Sequence, residues 1–585
     1  MTTLPPEAEP VPVPPPSAHH RVVAAFERLA QVDRPELWVS LRTLEEVLVD
    51  AKAVDERVRA GEDLPLAGTV LAVKDLIDVA GLPTAAGGPG FSRVPVTSAT
   101  AVTRLTGAGA VVLGKTNLDG CGAGPVGTPS PSTAVASAGD PQKSAGGSGS
   151  GAAVVVALGI ADLALGTDTA GSGRVPAALN AVVALVPTPG LVPKTGVFPA
   201  APSADCVSVF ARSLTLGQRA LAALTGPDGL DTAVRSWPAD VRLGAGERPR
   251  VAIPDSAGLA ALSGPARRAF GVAVASLTAA GAVVEAIDLS VFFEAGELLR
   301  RGGLGDVASA DPDGALGGPG VVPSADADGA HCGTLGGPGA GPSADADSTH
   351  REVARLRAAA HAALGDCAAL LLPTVPDHPD LTEAVADPAG VSARLGTYSA
   401  FVNVLDFAAV TVPVAPGDQR PFGVTIAARA FDDQIALDLA AVLTGEQARE
   451  PYPPDGVDVV VFGAHLRGQP LHDHLRGARF VAPVQTAEQY RMVLLDTDPP
   501  QPGVIPGRTT LDGELWRLSP ALFGRFAASL PAPFVLGHVT LDDDTTPLAV
   551  LCPPTATGSA PNLDRYDSWR GYLRFASTAG LRSVS

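Results

Sequence analysis

The pattern of hydrophobic and polar positions divides the chain into segments of different period. Between His20 and about Arg59, hydrophobic residues recur every three or four positions, in RVVAAFERLAQV and SLRTLEEVLVDAKAVDERVRAG, which predicts helices. The mostly hydrophobic run TVLAVKDLIDVAGL predicts a buried strand that contains Lys74. Helix and strand patterns then alternate through AVTRLTGAGAVVLGKTNL and GAAVVVALGIADLALGTDTAG, and again after residue 350. This alternation predicts an α/β fold in which helices cover a sheet.

Changes in composition predict the domain boundaries. Residues 1–19 are rich in proline and predict a disordered leader, whereas residues 20–450 carry the helix and strand alternation. Proline and glycine cluster at 451–456, which predicts a linker. Residues 457–585 contain short strand patterns separated by turn signals, which predict a small α+β domain built on a sheet or a barrel.

A low-complexity segment interrupts the first domain at 302–349. The sequence LGGPGVVPSADAD, from Leu316, recurs as LGGPGAGPSADAD from Leu335, with a period of 19 residues. Two copies cannot form a solenoid, and the segment has too few large hydrophobic side chains to build a core. We therefore predict a loop here.

Composition and charge exclude several classes of function. The 585 residues carry a formal net charge of −19, which argues against nucleic acid and anionic membranes as partners. Five scattered cysteines without CxxC spacing predict no metal site and no disulfide framework, and indicate a reducing compartment such as the cytoplasm. No hydrophobic run reaches the roughly 18 residues of a membrane span, and the N-terminus does not have the pattern of a signal peptide.

The turn GTDTAGSGR places one hydroxyl among glycines directly before a predicted helix. Ser172 in this turn is either a helix cap, which is a common role of serine, or a nucleophile surrounded by backbone N–H groups. A nucleophile needs a base, and burial favours the uncharged amine of Lys74; the alternative is a lysine that extends its amine to water. A second turn, SAGGSGSGAA, contains Ser148 and is either a flexible linker or the start of a helix.

Together these residues resemble the amidase signature family, the Ser–cisSer–Lys hydrolases. In GGSGSGAAVVVALGIADLALGTDTAGSGRVPA, Ser148 lies 24 residues before Ser172, and Lys74 lies 74 residues before Ser148. Further segments are similar to the allophanate hydrolases within that family: PSADCVSVFA, LLLPTVP, RLGTYSAFVNVLDFAAVTVPV, PFGVTIAARAF, VVVFGAHLRGQPLHDHL and EQYRMVLLD. The resemblance implies the amidase signature fold, with a mixed twisted sheet covered by helices, and an allophanate hydrolase-type C-terminal domain of α+β class.

The resemblance also implies roles for the residues at these positions. Ser172 is expected to be the nucleophile, Ser148 to follow a cis peptide bond and relay the proton, and Lys74 to be the base. The backbone N–H groups expected to form the oxyanion hole are those of Thr169, Ala170, Gly171 and Ser172. The implied reaction is the hydrolysis of allophanate, a small amide, to ammonia and carbon dioxide in urea degradation, by a cytoplasmic homodimer without a metal or other cofactor.

The sequence departs from the family near the expected mouth of the pocket. Pro129 and Ser132 replace an arginine and a tyrosine, and Gly149 replaces a serine. The tyrosine and arginine that hold the substrate carboxylate in the family are absent after FFEAGELL, where Arg300 and Arg301 are the candidate replacements. Three hypotheses therefore remain: an allophanate hydrolase, a same-fold amidase with another small amide substrate, and a non-catalytic member that acts by binding. The joint retention of both serines and the lysine disfavours the third.

The C-terminal segment GAHLRGQPLHDHL places His465, His472 and His474 close together in sequence. Histidines titrate near neutral pH, and the resemblance implies that this domain decarboxylates the first product. His465 is therefore a candidate functional residue. The alternative, which we favour from the sequence, is that these histidines face solvent in a turn between a strand and a helix.

Overall fold

The computed structural model describes residues 17–87, 92–118, 134–301, 344–414, 422–446, 452–453, 455–558 and 560–578. The strands are β1 (Trp38–Leu41), β2 (Val70–Lys74), β3 (Val111–Thr116), β4 (Leu163–Asp168), β5 (Val183–Val186), β6 (Cys206–Ala211), β7 (Arg250–Pro254), β8 (Val283–Ile287), β9 (Ala369–Pro373), β10 (Phe407–Pro413), β11 (Gly423–Arg429), β12 (Val457–Val461), β13 (Arg479–Gln485), β14 (Tyr490–Leu495), β15 (Gln501–Pro506), β16 (Asp512–Leu518), β17 (Val535–His538) and β18 (Leu548–Leu551). The α-helices are α1 (Ala18–Val32), α2 (Leu44–Arg59), α3 (Thr100–Gly107), α4 (Ser150–Ala157), α5 (Arg174–Leu179), α6 (Leu214–Leu224), α7 (Gly264–Ala279), α8 (Ser290–Arg300), α9 (Ala344–Leu364), α10 (Leu381–Ala386), α11 (Pro388–Leu395), α12 (Phe401–Val404), α13 (Asp433–Thr444), α14 (Pro520–Ser529) and α15 (Trp569–Thr578). Within these residues, no helix has both the length and the hydrophobicity needed to cross a bilayer.

Eleven of the described strands form one large sheet, in the order β1-β3-β2-β4-β6-β5-β10-β11-β9-β7-β8. Strand β2 pairs in parallel with β3 and β4, and β7 pairs in parallel with β8 and β9. Strands β4, β6, β5, β10 and β11 are joined by antiparallel pairing. Strands β2, β3 and β4 are buried along their whole length, as expected when helices cover both faces of a sheet. The predicted α/β fold with a mixed sheet is confirmed.

The central parallel strands bring two distant parts of the sequence to one edge of the sheet. Strand β2 ends at Lys74 and its parallel neighbour β4 ends at Asp168, so their carboxyl ends lie side by side. Helices α4 and α5 begin close to this edge, at Ser150 and Arg174. Crevices at the carboxyl ends of strands are common ligand sites in α/β sheets, and the candidate residues lie here.

Three boundaries differ from the sequence prediction. Helix α1 begins at Ala18, inside the predicted leader 1–19, because the Ser17 side chain accepts a hydrogen bond from the His20 N–H and caps the helix. Between α1 and α2, in the region predicted to be helical, Trp38–Leu41 forms strand β1, which pairs with β3 at the edge of the sheet. Helix α9 begins at Ala344, so residues 344–349 of the predicted loop 302–349 are helical, consistent with the high helix propensity of alanine there. Residues 302–343 of that loop lie outside the described residues.

The C-terminal part has a sheet of its own. Five described strands lie in the order β13-β16-β12-β18-β17, and β14 pairs with β15 in a separate two-stranded ribbon. Of the two alternatives left open by the sequence, a sheet or a barrel, this part adopts an open sheet. Its hydrophobic core includes Val459, Val461, Trp516 and Phe526, and helix α15 contributes the fully buried Trp569. The predicted α+β class is confirmed.

Tyr452 lies in the segment 451–456, which the sequence predicts to be a linker, but its side chain is fully buried. The phenol oxygen lies 2.6 Å from Thr225 Oγ1, and the backbone N–H donates to Gln434 Oε1 at 2.6 Å. The ring packs edge-to-face on Trp237, with the centroids 5.1 Å apart. Tyr452 is therefore anchored to the first part of the chain, whereas Pro451 and Pro454 lie outside the described residues.

Further contacts join the two parts of the chain beside this anchor. The Leu243 N–H donates to Gly477 O at 2.8 Å, so the two backbones contact directly. Arg479, on β13, donates to Asp438 on α13 at 3.0 Å. The same carboxylate accepts the Ala245 N–H at 2.9 Å.

We predict that Tyr452→Ala lowers the free energy of unfolding by about 3–5 kcal/mol, because it empties a buried aromatic site. Tyr452→Phe is expected to cost only about 1 kcal/mol. The Thr225 hydroxyl already donates to Leu221 O, so the tyrosine is the donor and its loss leaves only an acceptor unpaired. Urea denaturation of the two variants measures the difference. Equal small losses in both would mean that the segment is a linker after all.

Candidate active site

Lys74 and Thr167 meet at the carboxyl ends of β2 and β4. The Lys74 side chain is fully buried, and its Nζ donates to Thr167 Oγ1 at 2.9 Å and to Ser148 Oγ at 2.7 Å. These contacts follow from the parallel pairing, in which Val73 of β2 lies opposite Leu165 of β4. The alternative of a lysine extending its amine to water is therefore wrong.

Ser148 lies in the glycine-rich turn directly before α4. The Gly147–Ser148 peptide bond is cis, as the resemblance implied. The following Gly149 N–H donates to Ser172 O at 3.1 Å, which ties this turn to the second one. A Cβ at Gly149 would lie 2.7 Å from Ser172 O and 2.8 Å from Phe210 Cζ, so a side chain at this position would require the Ser172 backbone and the Phe210 ring to shift. The turn is therefore packed structure rather than a flexible linker.

Ser172 lies in the turn between β4 and α5. Its hydroxyl donates to Thr167 O at 2.9 Å, while the Thr167 hydroxyl accepts from Lys74. The structure thus brings Lys74 and Ser148 into direct contact and connects both to Ser172, through Thr167 and through Gly149. The first residue of α5 is Arg174, and the Ser172 side chain makes no N-cap hydrogen bond to this helix.

A fully buried ion pair between Asp168 and Arg174 shapes the Ser172 turn. The two side chains are 2.7 Å apart at their closest, and the carboxylate also accepts the N–H groups of Gly171 at 3.1 Å and Gly173 at 2.9 Å. Burial alone raises the pKa of Asp168. The Arg174 guanidinium and these N–H donors outweigh burial and hold the pKa below its ordinary value. Asp168 is therefore ionised at neutral pH, and its carboxylate holds the turn through the N–H groups of Gly171 and Gly173.

The four N–H groups expected to form the oxyanion hole do not all remain available. The Gly171 N–H already donates to the Asp168 carboxylate, which is a stronger acceptor than a neutral carbonyl. For the N–H groups of Thr169, Ala170 and Ser172, the described part of the chain offers no hydrogen-bond acceptor. The expected set of four is thus reduced to three by the ion pair.

The family departures fall partly outside the described residues, which include neither Pro129 nor Ser132. Arg300, at the end of α8, donates to Glu297 on the same helix at 2.7 Å, and Arg301 is exposed at the helix end. Of the two candidate replacements for the family's carboxylate-binding residues, Arg300 is therefore paired with an acidic side chain and Arg301 lies at the surface. Among the described residues, no group of three or more histidine, cysteine, aspartate or glutamate side chains is arranged to hold a metal ion.

The three C-terminal histidines do cluster, but His465 does not face solvent. It is 3% exposed, its Nε2 lies 3.3 Å from His474 Nδ1, and its ring packs edge-to-face on Phe526. His472 Nδ1 lies 3.2 Å from His465 O. Burial, together with repulsion from the other two histidines, lowers the pKa of His465 to about 4. The solvent-facing alternative is wrong for His465, because the chain after β12 turns beneath α14.

Several residues at the site were not recognisable as functional from the sequence. Thr167 and Arg174 stand within the GTDTAGSGR turn, where their spacing from Ser172 was visible but no role followed from it. Ser399 and Asn403 come from α12 and the segment before it. Ser399 Oγ donates to Ala170 O at 2.8 Å, and Asn403 Nδ2 donates to Asp168 O at 2.8 Å.

Comparison with known proteins finds two family models that match separate parts of the chain. Residues 21–311 match the amidase family, so the chain contains an amidase domain. Residues 457–574 match the allophanate hydrolase C-terminal domain. The two matched domains follow one another along the chain.

Individual relatives agree with this assignment. The urea amidolyase of Lachancea kluyveri is 30% identical over 93% of this chain, but the chain spans only 32% of that protein. The solved structure of Kluyveromyces lactis allophanate hydrolase is 29% identical, has a TM-score of 0.79, and is matched over 96% of this chain and 97% of its own. A glutamyl-tRNA(Gln) amidotransferase subunit of Thermus thermophilus is 39% identical over 36% of this chain and 43% of its own length.

The buried His465 predicts a pH-dependent stability. Its pKa is about 4 in the folded chain and about 6.5 when exposed, so between these values only the unfolded chain takes up the proton. The uncharged His465 therefore costs no stability above a pH of about 6.5. As the pH falls from there towards 4, the free energy of unfolding decreases, by roughly 2–4 kcal/mol in total. Urea denaturation across this range gives the free energy of unfolding at each pH. Its slope against pH should be shallower for His465→Gln than for the unmutated chain, whereas His19→Gln, at an exposed histidine, is the control and should keep the unmutated slope. Identical slopes in all three proteins would contradict the burial of an uncharged His465.

Proposed function

We propose that the chain is an amidohydrolase that hydrolyses allophanate, urea-1-carboxylate, through an acyl-enzyme on Ser172. The observation that carries the proposal is the buried contact between Lys74 Nζ and Ser148 Oγ, connected to Ser172 in a chain that also has an allophanate hydrolase C-terminal domain. The chain spans about a third of the urea amidolyases it matches, and the proposal concerns only the hydrolysis of allophanate.

The first chemical step would form the acyl-enzyme. A rotation about the Cα–Cβ bond of Ser172 frees its hydroxyl from Thr167 O and turns it towards Ser148. Its oxygen attacks the terminal amide carbonyl, and its proton passes to Ser148, which gives its own proton to an uncharged Lys74. The N–H groups of Thr169, Ala170 and Ser172 would stabilise the oxyanion. The carbon–nitrogen bond then breaks, and the proton returns through Ser148 to the nitrogen, which leaves as ammonia.

The second step would release the product with the same groups. A water molecule takes the place of the ammonia and gives a proton through Ser148 to Lys74 as it attacks the acyl carbonyl. Collapse of the tetrahedral intermediate breaks the bond to Ser172, whose oxygen recovers the proton. The product is an N-carboxycarbamate, a dicarboxylate that loses carbon dioxide to yield carbamate and then ammonia.

A different small amide is the second candidate substrate. Arg300 is paired with Glu297, and Arg301 is exposed, so neither supports the carboxylate recognition that allophanate requires. The transamidation named for the Thermus thermophilus relative is a weaker candidate, because that similarity covers 36% of the chain and leaves the C-terminal domain unused.

The proposal also includes a cytoplasmic location and a homodimer that binds neither nucleic acid nor membrane. The cytoplasm is supported by Cys206, Cys367 and Cys552, which are unpaired and buried, as suits a reducing compartment. The net charge of −19 supports the absence of polyanionic partners. The homodimer stays a prediction from the family resemblance, to be tested by light scattering.

We predict that Ser172→Ala abolishes ammonia release from allophanate, and that Lys74→Ala is nearly as damaging, because members of one catalytic unit are not additive. Ser150→Ala is the matched control. The Ser150 hydroxyl is buried two residues after Ser148, at the start of α4, and makes no hydrogen bond within the described residues, so activity should be unchanged. Mass spectrometry after treatment with a serine-directed fluorophosphonate should place the label on Ser172.

The same assay with biuret, malonamate and simple aliphatic amides decides the substrate. A kcat/KM for allophanate far above the others supports the first candidate, whereas a preference for a neutral amide supports the second. A label on another serine, or normal hydrolysis by Ser172→Ala, would contradict the acyl-enzyme. No hydrolysis and no label in the unmutated chain would favour the non-catalytic hypothesis.

We further propose that His465 acts on the dicarboxylate in the C-terminal domain. The support is its position: an imidazole that burial keeps uncharged, with His474 at 3.3 Å as a partner for proton exchange. An uncharged imidazole can donate or accept a proton, which the loss of carbon dioxide and the protonation of the remaining nitrogen require.

We predict that His465→Asn slows the release of carbon dioxide while the first ammonia appears at the normal rate, because the amidase site is intact. The measurement is a time course of ammonia and carbon dioxide in one reaction. His538→Asn is the control, since His538 is an exposed histidine in the same domain. Equal rates of carbon dioxide release in both variants would remove His465 from the reaction.

A further inference from the structure

Asn403 is a buried amide whose hydrogen bonds converge on the Ser172 turn from a distant part of the sequence. It is 2% exposed and lies on α12. Its Nδ2 donates to Asp168 O at 2.8 Å and to Ala204 O at 2.9 Å, and its Oδ1 accepts from Arg174 Nη2 at 2.8 Å. Both amide hydrogens and the amide oxygen are therefore used, so the side chain is held in one orientation.

The bond to Asp168 O fixes the direction of a neighbouring N–H group. The peptide bond between Asp168 and Thr169 is trans and planar, so its C=O and its N–H point in opposite directions. Because Asn403 holds the carbonyl, the Thr169 N–H must point away from Asn403. Within the described residues this N–H has no acceptor, which leaves it free to bind an oxygen of a ligand.

The Thr169 side chain is fixed at the same time. Its Oγ1 donates to Asp205 Oδ1 at 2.6 Å, and Asp205 directly follows Ala204, the second carbonyl that Asn403 binds. Asn403 thus connects the end of β4 to the segment before β6. Asp168 also lies opposite Cys206 in the antiparallel pairing of β4 with β6, so the sheet and Asn403 restrain this peptide unit together. The ion pair does not take over the role of Asn403, because it uses the Asp168 carboxylate and not the backbone carbonyl.

We infer that Asn403 is a positioning residue for the oxyanion hole, which orients the Thr169 N–H towards the oxyanion by holding the opposite end of the same peptide unit. The inference rests on the proposed function of Ser172. It assigns Asn403 an effect on the tetrahedral transition state, in which the carbonyl oxygen becomes charged, and little effect on substrate binding.

The test uses Asn403→Asp and Asn403→Ser. The aspartate keeps an oxygen for Arg174 but cannot donate when ionised, and the serine is too short to reach Asp168 O. Loss of one oxyanion donor typically lowers kcat by about 10²–10³-fold, so a misaligned donor should lower kcat at least about tenfold. KM should change less than about threefold, since only the transition state is affected. Attack of Ser172 on a fluorophosphonate also places negative charge on an oxygen, that of the phosphonyl group. The rate of labelling should therefore fall in parallel with kcat.

Tyr398→Phe is the matched control for loss of a buried hydrogen bond. Tyr398 is 1% exposed and, five residues before Asn403, donates to Gly258 O at 2.8 Å, away from the Ser172 turn. This variant should lose stability by thermal denaturation but keep kcat and the labelling rate. A folded Asn403 variant with an unchanged labelling rate, or a fall that Tyr398→Phe shares, overturns the inference. Unfolding of both Asn403 variants also overturns it, by assigning the residue to the core.

The labelling experiment separates this inference from the proposed function. Absence of a label on Ser172 in the unmutated chain contradicts the acyl-enzyme itself. A normal label there, with an unchanged rate in folded Asn403 variants, contradicts only the positioning role.

Discussion

The buried ion pair between Asp168 and Arg174 is the interaction on which the candidate active site depends. It closes the turn between β4 and α5 from inside, because one carboxylate binds the arginine side chain and also accepts the backbone N–H groups of Gly171, Gly173 and Arg174. Removing either charge leaves the other buried and unpaired, at a typical cost of about 3–5 kcal/mol. The same pair consumes the Gly171 N–H, and its arginine binds Asn403. The position of Ser172, the available N–H groups and the role of α12 all follow from it.

The two parts of the chain are joined by polar contacts rather than by a long tether. Tyr452 is buried where the chain leaves the first part, and Asp438 binds both Ala245 and Arg479 near the start of the second. Inter-domain interfaces within one chain are usually more polar than cores, and these contacts are of that kind. A product formed at Ser172 has to leave one site and diffuse to the other, because no covalent carrier connects them in the proposed reaction.

The sequence allowed the α/β class to be predicted, because strand and helix periods are local, and the distinctive spacing of Lys74, Ser148 and Ser172 made them candidates whose roles stay a prediction. It did not allow Ser399 or Asn403 to be placed, since their contacts to the turn span more than 225 residues. Tyr452 was predicted to lie in a linker because its neighbours are prolines, although its burial depends on Thr225 and Trp237. Local composition cannot reveal a cavity formed by distant segments.

The contact between Gly149 and Phe210 restricts how this chain can evolve. The Phe210 ring occupies the space that side chains at Gly149 and Gly166 would need, with Cβ contacts of 2.8 and 2.6 Å. A single codon change at either glycine introduces a clash beneath the Ser172 turn, while a single change at Phe210 to a small residue leaves a void. A smaller residue at 210 would remove only part of the conflict for a serine at 149, because its Cβ would still lie 2.7 Å from Ser172 O. A side chain at 149 therefore requires two changes together, a smaller residue at 210 and a shift of the Ser172 backbone, and a single substitution does not supply both.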